Sequence, residues 1–99
     1  MRKRSLLSLV ALLLVCAAVY SAPAKKVDIF ITSWCPYCRK LETFLQQNKI
    51  DYTRHDVEKD PVSADEFKRL GGQGVPLTRV GKKLVRGYDP GEILAALGA

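Results

Sequence analysis

The chain has 99 residues, 47% of them hydrophobic and 26% charged, with a formal net charge of +6. That length holds one domain, and the ordinary balance of apolar and charged residues excludes a disordered or low-complexity chain. A nucleic-acid surface is also excluded: three of the 16 basic residues fall in the first four positions, all 10 acidic ones lie beyond Ala24, and nowhere do Lys and Arg cluster with interleaved aromatics.

The first element in the chain is a leader. "MRKR" is a positive start, Leu6 to Tyr20 is a nearly uncharged apolar run, and "SAPA" offers the small residues a signal peptidase needs. Residues 1–24 therefore read as a signal peptide cut after Ala24, with Ser21 as the second option. The competing reading is an uncleaved N-terminal membrane anchor, since Leu6 to Ala24 has a length within the roughly 17–25 residues that span a bilayer. Cys16 follows Val15 where a lipoprotein cleavage site wants a small residue, which argues against lipidation. Either way residues 25–99 form the domain. It is expected outside the cytoplasm, in a bacterial periplasm, and a membrane contact is expected only if the leader is retained.

"VDIFI", Val27 to Ile31, is a β-branched and aromatic run, apolar on both faces apart from Asp28, and predicts a central strand. From Pro36 the period changes: Tyr37, Leu41, Phe44, Leu45 and Asn48 recur at helical spacing. Ile50 to Val57 alternates and predicts a second strand, with His55 as a solvated residue on it. A second helix should follow, capped by Ser63 with Glu66 closing the capping box and Val62 stapled to Phe67, and ending at Leu70 before Gly71-Gly72. Leu77 to Val80 and Lys83 to Arg86 predict a hairpin turned by Gly81-Lys82. The last helix has Asp89 as its cap, Pro90 first, Glu92 third, a Tyr88/Ile93 staple, Leu94 and Leu97 on its apolar face, and Gly98 as its stop. The order is β-α-β-α-β-β-α. The first two strands should run parallel, with the hairpin adding an antiparallel part to one mixed four-stranded sheet flanked by helices, an α/β fold.

Cys35 and Cys38 stand three residues apart at the start of the first helix. Cys35 faces the unpaired amides and positive end of the helix, which favour a thiolate, and Arg39 and Lys40 act in the same direction. Cys38 lies about one turn inside, beside the apolar face, where it should be shielded. That division predicts a nucleophile and a resolving thiol. Zinc would need four ligands, whereas residues 25–99 offer two cysteines and one histidine. A purely structural disulfide would close too short a loop to constrain the unfolded chain much.

The sequence resembles the glutaredoxins of the thioredoxin-like superfamily. The matching pieces are "CPYC" at Cys35 to Cys38, the Val75-Pro76 pair before the third strand and "RGYD" at Arg86 to Asp89, and the likeness covers Lys25 to Ala99. The resemblance implies a thioredoxin-like fold and an enzyme, a monomeric thiol-disulfide oxidoreductase with Cys35 and Cys38 as the redox disulfide. It implies a cis Pro76 against the cysteines, a Val75 backbone that pairs with an extended substrate, and Gly87, Tyr88 and Asp89 at one end of a bound glutathione. Trp34 is similar to the aromatic of thioredoxins at that position, and with Tyr37 completes the expected substrate-binding set. No metal and no tightly bound cofactor are implied. Glutathione or disulfide-containing proteins would be co-substrates or partners, with a separate reductant.

The alternatives are an iron–sulfur dimer held through Cys35 and glutathione, and a docking module without turnover. Two departures from glutathione-using members stand out. Thr32, Ser33 and Trp34 occupy the positions where those carry a lysine, and Arg86-Gly87 and Pro90 replace a Gly-Gly and a second Asp. Arg86 could replace the lost charge.

Overall fold

The structure is a computed structural model and describes residues 25–98, so the leader reading lies outside the described residues. The elements are β1 (Val27–Ile31), α1 (Pro36–Gln47), β2 (Thr53–Asp56), α2 (Pro61–Arg69), β3 (Leu77–Val80), β4 (Lys83–Arg86) and α3 (Pro90–Gly98), in the expected order. They build one sheet with strand order β2-β1-β3-β4. β1 runs parallel to β2 and antiparallel to β3, and β3 pairs antiparallel with β4 through the Gly81-Lys82 turn, where Gly81 takes φ +61. A positive φ at the first turn residue suits the twist of a two-residue hairpin, and glycine adopts it without strain.

Every residue of β1 is buried, and alternation sends its side chains to two different layers. Val27, Ile29 and Ile31 pack with Leu41 and Leu45 of α1 and Ile93 and Ala96 of α3. The opposite face carries Asp28 and Phe30. Phe30 stacks on His55, ring centroids 4.7 Å apart, and lies 6.2 Å from Phe67 of α2.

Asp28 gathers a polar group on that second face. His55 Nε2 donates to its Oδ1 at 2.9 Å, and Arg79 donates to Oδ2 at 3.0 Å while also reaching Glu66 at 2.8 Å. His55 is therefore a half-buried, partnered residue, which corrects its reading as a solvated one. Burial pushes the Asp28 carboxyl up, but the hydrogen bonds from His55 and Arg79, with the Arg79 charge, outweigh it and hold the group below its ordinary value. A lowered folded-state value stabilises the fold above the unfolded value near 3.9, and this contribution is lost as pH falls through the folded one. Asp56 and Asp60, held low by hydrogen bonds from Lys59 and Ser63, act in the same direction. Urea unfolding should thus lose midpoint steadily as pH drops below about 4, and Asp28→Asn should flatten that slope. An unchanged slope in the variant would remove Asp28 from this role.

Local chemistry explains where the sequence expectations shift. α1 ends with Asn48 as cap and Lys49 at φ +55, with the Ile50 amide bonded to the Leu45 carbonyl at 2.9 Å. That terminal motif holds Ile50 in the exit from the helix. β2 therefore begins at Thr53 and ends at Asp56, shorter than the expected Ile50 to Val57, and Ile50 and Tyr52 pack against the core ahead of it.

The cap of α2 is Asp60, not Ser63: Asp60 Oδ1 accepts the Val62 amide at 3.2 Å, and Pro61 takes the first helical position. Ser63 instead donates to Asp60 Oδ2 at 2.6 Å from inside the helix. An Asp-Pro pair supplies both the side-chain acceptor and a preset φ, which outcompetes a serine three residues after the aspartate. Val62 is 74% exposed, so it does not form the expected staple. The end of α2 at Leu70 and Gly71 stands as read, with Gly71 at φ +75. In α3 the buried residues are Ile93 and Ala96 with Leu97 beside them, whereas Leu94 points outward at 49% exposure. Tyr37 likewise leaves the apolar face of α1, where Cys38, Leu41 and Leu45 are buried.

Candidate active site

The site forms where β1 hands over to α1. Cys35 is the N-cap residue of α1, with Pro36 preset at the first helical position, and its sulfur accepts the Cys38 amide at 3.2 Å. This is the role a serine or aspartate oxygen plays at other helix starts. Negative charge on that sulfur meets an N–H dipole and the positive helix end together. Cys35 and Cys38 are both free thiols and both buried, at 4% and 1% exposure. Burial first, then hydrogen bonding with Cys35, pushes the Cys38 thiol up to about 12, while the Thr32 backbone pulls slightly the other way. Cys38 thus holds its proton at neutral pH, and its place one turn inside α1 gives it the shielding expected of it.

The second wall comes from the loop before β3. The Val75–Pro76 peptide bond is cis, and the Val75 carbonyl lies 3.9 Å from Cys35 Sγ, which donates to it. Gly87, at φ +73, donates its amide to the Pro76 carbonyl at 2.9 Å, tying the end of β4 to this loop. Tyr37, Val75, Pro76, Gly87 and Tyr88 surround one hollow of about 240 Å³. Five of the expected site residues are therefore brought together beside the cysteine that should attack.

Two others stand apart from that hollow. Trp34 is 64% exposed, and its Nε1 donates to Glu58 Oε1 across from the turn after β2. Asp89 caps α3, with Oδ1 accepting the Glu92 amide at 3.2 Å.

The structure also places residues outside the expected binding set around the site. Arg39, Lys40, Phe44 and Gln47 line a hollow of about 310 Å³ on the other side of Tyr88, and Lys40 lies 5.1 Å from the Tyr37 ring. Gln73, Gly74 and Arg86 line a third of about 460 Å³ with Pro76 and Gly87. Helical spacing from Cys35 could have flagged Arg39 and Lys40 as hollow-lining residues. Glu58 carried no signal, because its contact with Trp34 spans 24 residues of chain. Among the described residues no group of three or more His, Cys, Asp or Glu side chains is placed to hold a metal ion.

The sequence matches the glutaredoxin family profile over residues 27–85, more than half of the chain. This chain is a member of the glutaredoxin family. It is 29% identical over 68 residues to an uncharacterized glutaredoxin-like 8.6 kDa protein of the rubredoxin operon of Clostridium pasteurianum, covering 68% of this chain and 91% of that one. To the glutaredoxin of Pseudomonas aeruginosa it is 31% identical over 64 residues, covering 64% of this chain and 76% of that protein. Among solved structures, the glutaredoxin-like NrdH-redoxin from Escherichia coli superposes with a TM-score of 0.65 at 18% identity, covering 71% and 92% of the two chains. That likeness carries the fold, which is thioredoxin-like, with a mixed four-stranded sheet and three helices. Membership of the glutaredoxins makes thiol-disulfide oxidoreduction the general chemistry of this domain.

Proposed function

We propose that this glutaredoxin works by a dithiol mechanism in which Cys35 attacks and Cys38 resolves. The Cys35 thiolate displaces one sulfur of a substrate disulfide, which leaves as a thiol, and a mixed disulfide forms on Cys35. Cys38 then attacks Cys35 Sγ, losing its proton as it does so. The second substrate sulfur departs, and the Cys35–Cys38 disulfide retains the oxidation. Two electrons pass from the dithiol to the substrate, and an external thiol or dithiol returns them.

The observation that carries this reading is the unequal setting of the two sulfurs. Both are buried, but one caps a helix and accepts an amide at 3.2 Å, while the other lies a turn inside and is held protonated. A cysteine that keeps its proton cannot compete with Cys35 for the first attack, and it waits one helical turn away for the second.

The proposal extends to what surrounds the domain. Its co-substrates are protein disulfides or glutathione mixed disulfides, it acts as a monomer without a tightly bound cofactor, and the basic start and apolar run of residues 1–24 support export to a periplasm. Trp34, Tyr37, Val75, Pro76, Gly87, Tyr88 and Asp89 form the substrate-binding set, supported by the shared hollow of five of them.

The test is capture. With Cys38→Ser, a disulfide substrate should accumulate as a stable adduct on Cys35, seen by mass spectrometry after digestion, whereas the wild type should release it. An adduct on neither form, or one mapped away from Cys35, would sink the mechanism.

A further inference from the structure

We infer that the end of the domain opposite the cysteines docks on an anionic phospholipid surface through Lys25, Lys26, Lys49, Lys82 and Lys83. The inference rests on residues 1–24 entering a bilayer, as the export reading has them do, and not on the redox chemistry of Cys35.

The two ends of β1 have different surroundings. Its last residue leads on to Cys35 and α1, whereas at its start Val27 pairs with Val80, which brings the hairpin turn beside the entry to the domain. The Gly81 amide donates to the Lys26 carbonyl at 2.8 Å, and the point where a Cβ on Gly81 would stand is 3.9 Å from Lys25 Cδ. That pairing sets Lys25 and Lys26 next to Lys82 and Lys83. One hollow of about 410 Å³ opens between Lys25, Lys82, Lys83 and Ala96, and another of about 270 Å³ between Lys25, Lys26, Asp51 and Tyr52. Lys49, in the exit from α1, stands two residues before Asp51, and all five lysines are exposed. The five residues of β1, rising about 3.3 Å each, separate this end from the cysteines.

The surplus of charge on this face is positive. Asp51 lines the smaller hollow, and Glu92 lies 3.5 Å from Lys83 with both side chains 55% exposed. Pairs that open to water are weak, and they leave an ammonium group available to a more numerous set of anions. Asp28 is 3.9 Å from Lys26, but it is buried and already holds His55 and Arg79. Lys25 Nζ donates to the Ala96 carbonyl at 2.8 Å, which ties the start of β1 to the end of α3. The face is thus fixed in shape, with five lysines set against two surface carboxylates.

The chain that leads into this face indicates its occupant. The apolar run ends at Tyr20, and the stretch from there through Ser21 to Ala24 reaches at most about 17 Å to Lys25. With that run in a bilayer, the lysine end is the one held against the headgroups. Cleavage after Ala24 would instead add the α-ammonium of Lys25 to the same face. A plane of lipid phosphates suits compact charges on flexible stems, since it demands no fixed geometry from any one of them. Each lysine near such a surface strengthens binding about fivefold, so a few of them act best beside a second attachment, which the apolar run supplies. Docked this way, the Cys35 end points into the aqueous phase.

The test is protection, read lysine by lysine. The full chain is placed in nanodiscs of phosphatidylcholine, with or without phosphatidylglycerol, and acylated by a water-soluble reagent, and each lysine is followed by mass spectrometry. With phosphatidylglycerol, Lys26, Lys82 and Lys83 should react at least about fivefold more slowly than on phosphatidylcholine alone, an effect that high salt removes. Lys40, beside the Tyr37 ring, and Lys59, whose amide bonds to Asp56 at the end of β2, lie at the cysteine end and should react alike on both. Combining Lys82→Gln with Lys83→Gln should bring Lys26 back toward its rate on phosphatidylcholine, with disulfide turnover unchanged.

Equal rates on the two lipids would overturn the inference, as would protection of Lys40 and Lys59 as strong as that of the lysine end. Protection by soluble polyglutamate with none by phosphatidylglycerol would give the face to an acidic protein and overturn it too. A chain that does not co-elute with phosphatidylcholine discs overturns the reading of residues 1–24 and this one with it, and is seen before any lysine is labelled.

Discussion

Replacing Cys35 with serine should lower disulfide turnover by at least about a thousandfold, below what free thiols achieve in the same assay. The reason lies in the geometry at the head of α1. Serine keeps the cap, because its hydroxyl oxygen also accepts the Cys38 amide, so the helix start and the fold should survive the change. What disappears is the sulfur that must attack. Cys38 cannot take over, since burial holds its proton and it lies a turn inside α1, whereas Cys35 Sγ is the sulfur within 3.9 Å of the Val75 carbonyl. The measurement is the rate of reduction of a protein disulfide, with circular dichroism to confirm the fold. Near-wild-type turnover by Cys35→Ser would remove the assignment of the nucleophile.

Replacing Phe30 with alanine should cost about 3–5 kcal/mol of stability. Phe30 is fully buried on the face of β1 away from the cysteines, stacked on His55 and close to Phe67, with the Arg79 guanidinium 5.7 Å from its ring. No neighbour is free to fill the space: His55 and Arg79 are both tied to Asp28, and α2 is anchored by its caps. A domain of this size has total stability of about 4–10 kcal/mol, so the loss is a large share of it. Thermal denaturation should show a fall of more than about 10 °C, and Phe30→Leu, which keeps much of the volume, a far smaller one. A drop of only a few degrees for alanine would mean that the layer collapses to fill the gap.

Much of this was readable in residues whose neighbours in sequence are also their neighbours in space. The Gly81-Lys82 hairpin, the glycines closing α2, the Asp89 cap and the Cys35 helix start are local, and each stands where the sequence placed it. The same holds for the cis bond before Pro76, which came from family resemblance and not from any propensity.

Competing local signals caused the misplacements. Asp60-Pro61 overrode Ser63, and the helix exit through Lys49 consumed residues that alternate like a strand. Legibility failed for contacts made across the sheet. Asp28 looked like an interruption in an apolar run because its partners, His55 and Arg79, lie 27 and 51 residues further along. Arg86 could be suspected as a cation, but its pocket depends on the backbone of Gly71 and became visible only once that loop was folded.

Cys35 and Cys38 belong to the same buried cluster as Ile29, Leu41 and Ile93, so the reagent of this protein is also part of its packing. Reduced and oxidised forms must therefore differ in resistance to unfolding by the amount that separates the dithiol's potential in the native chain from its potential in the unstructured one. For a two-electron couple, each 30 mV or so of that separation corresponds to about 1.4 kcal/mol. Melting the two forms side by side is thus a second route to the electrochemistry of the pair, and a repacking of Leu41 or Ile93 that favours one form over the other retunes the electron affinity without touching a sulfur.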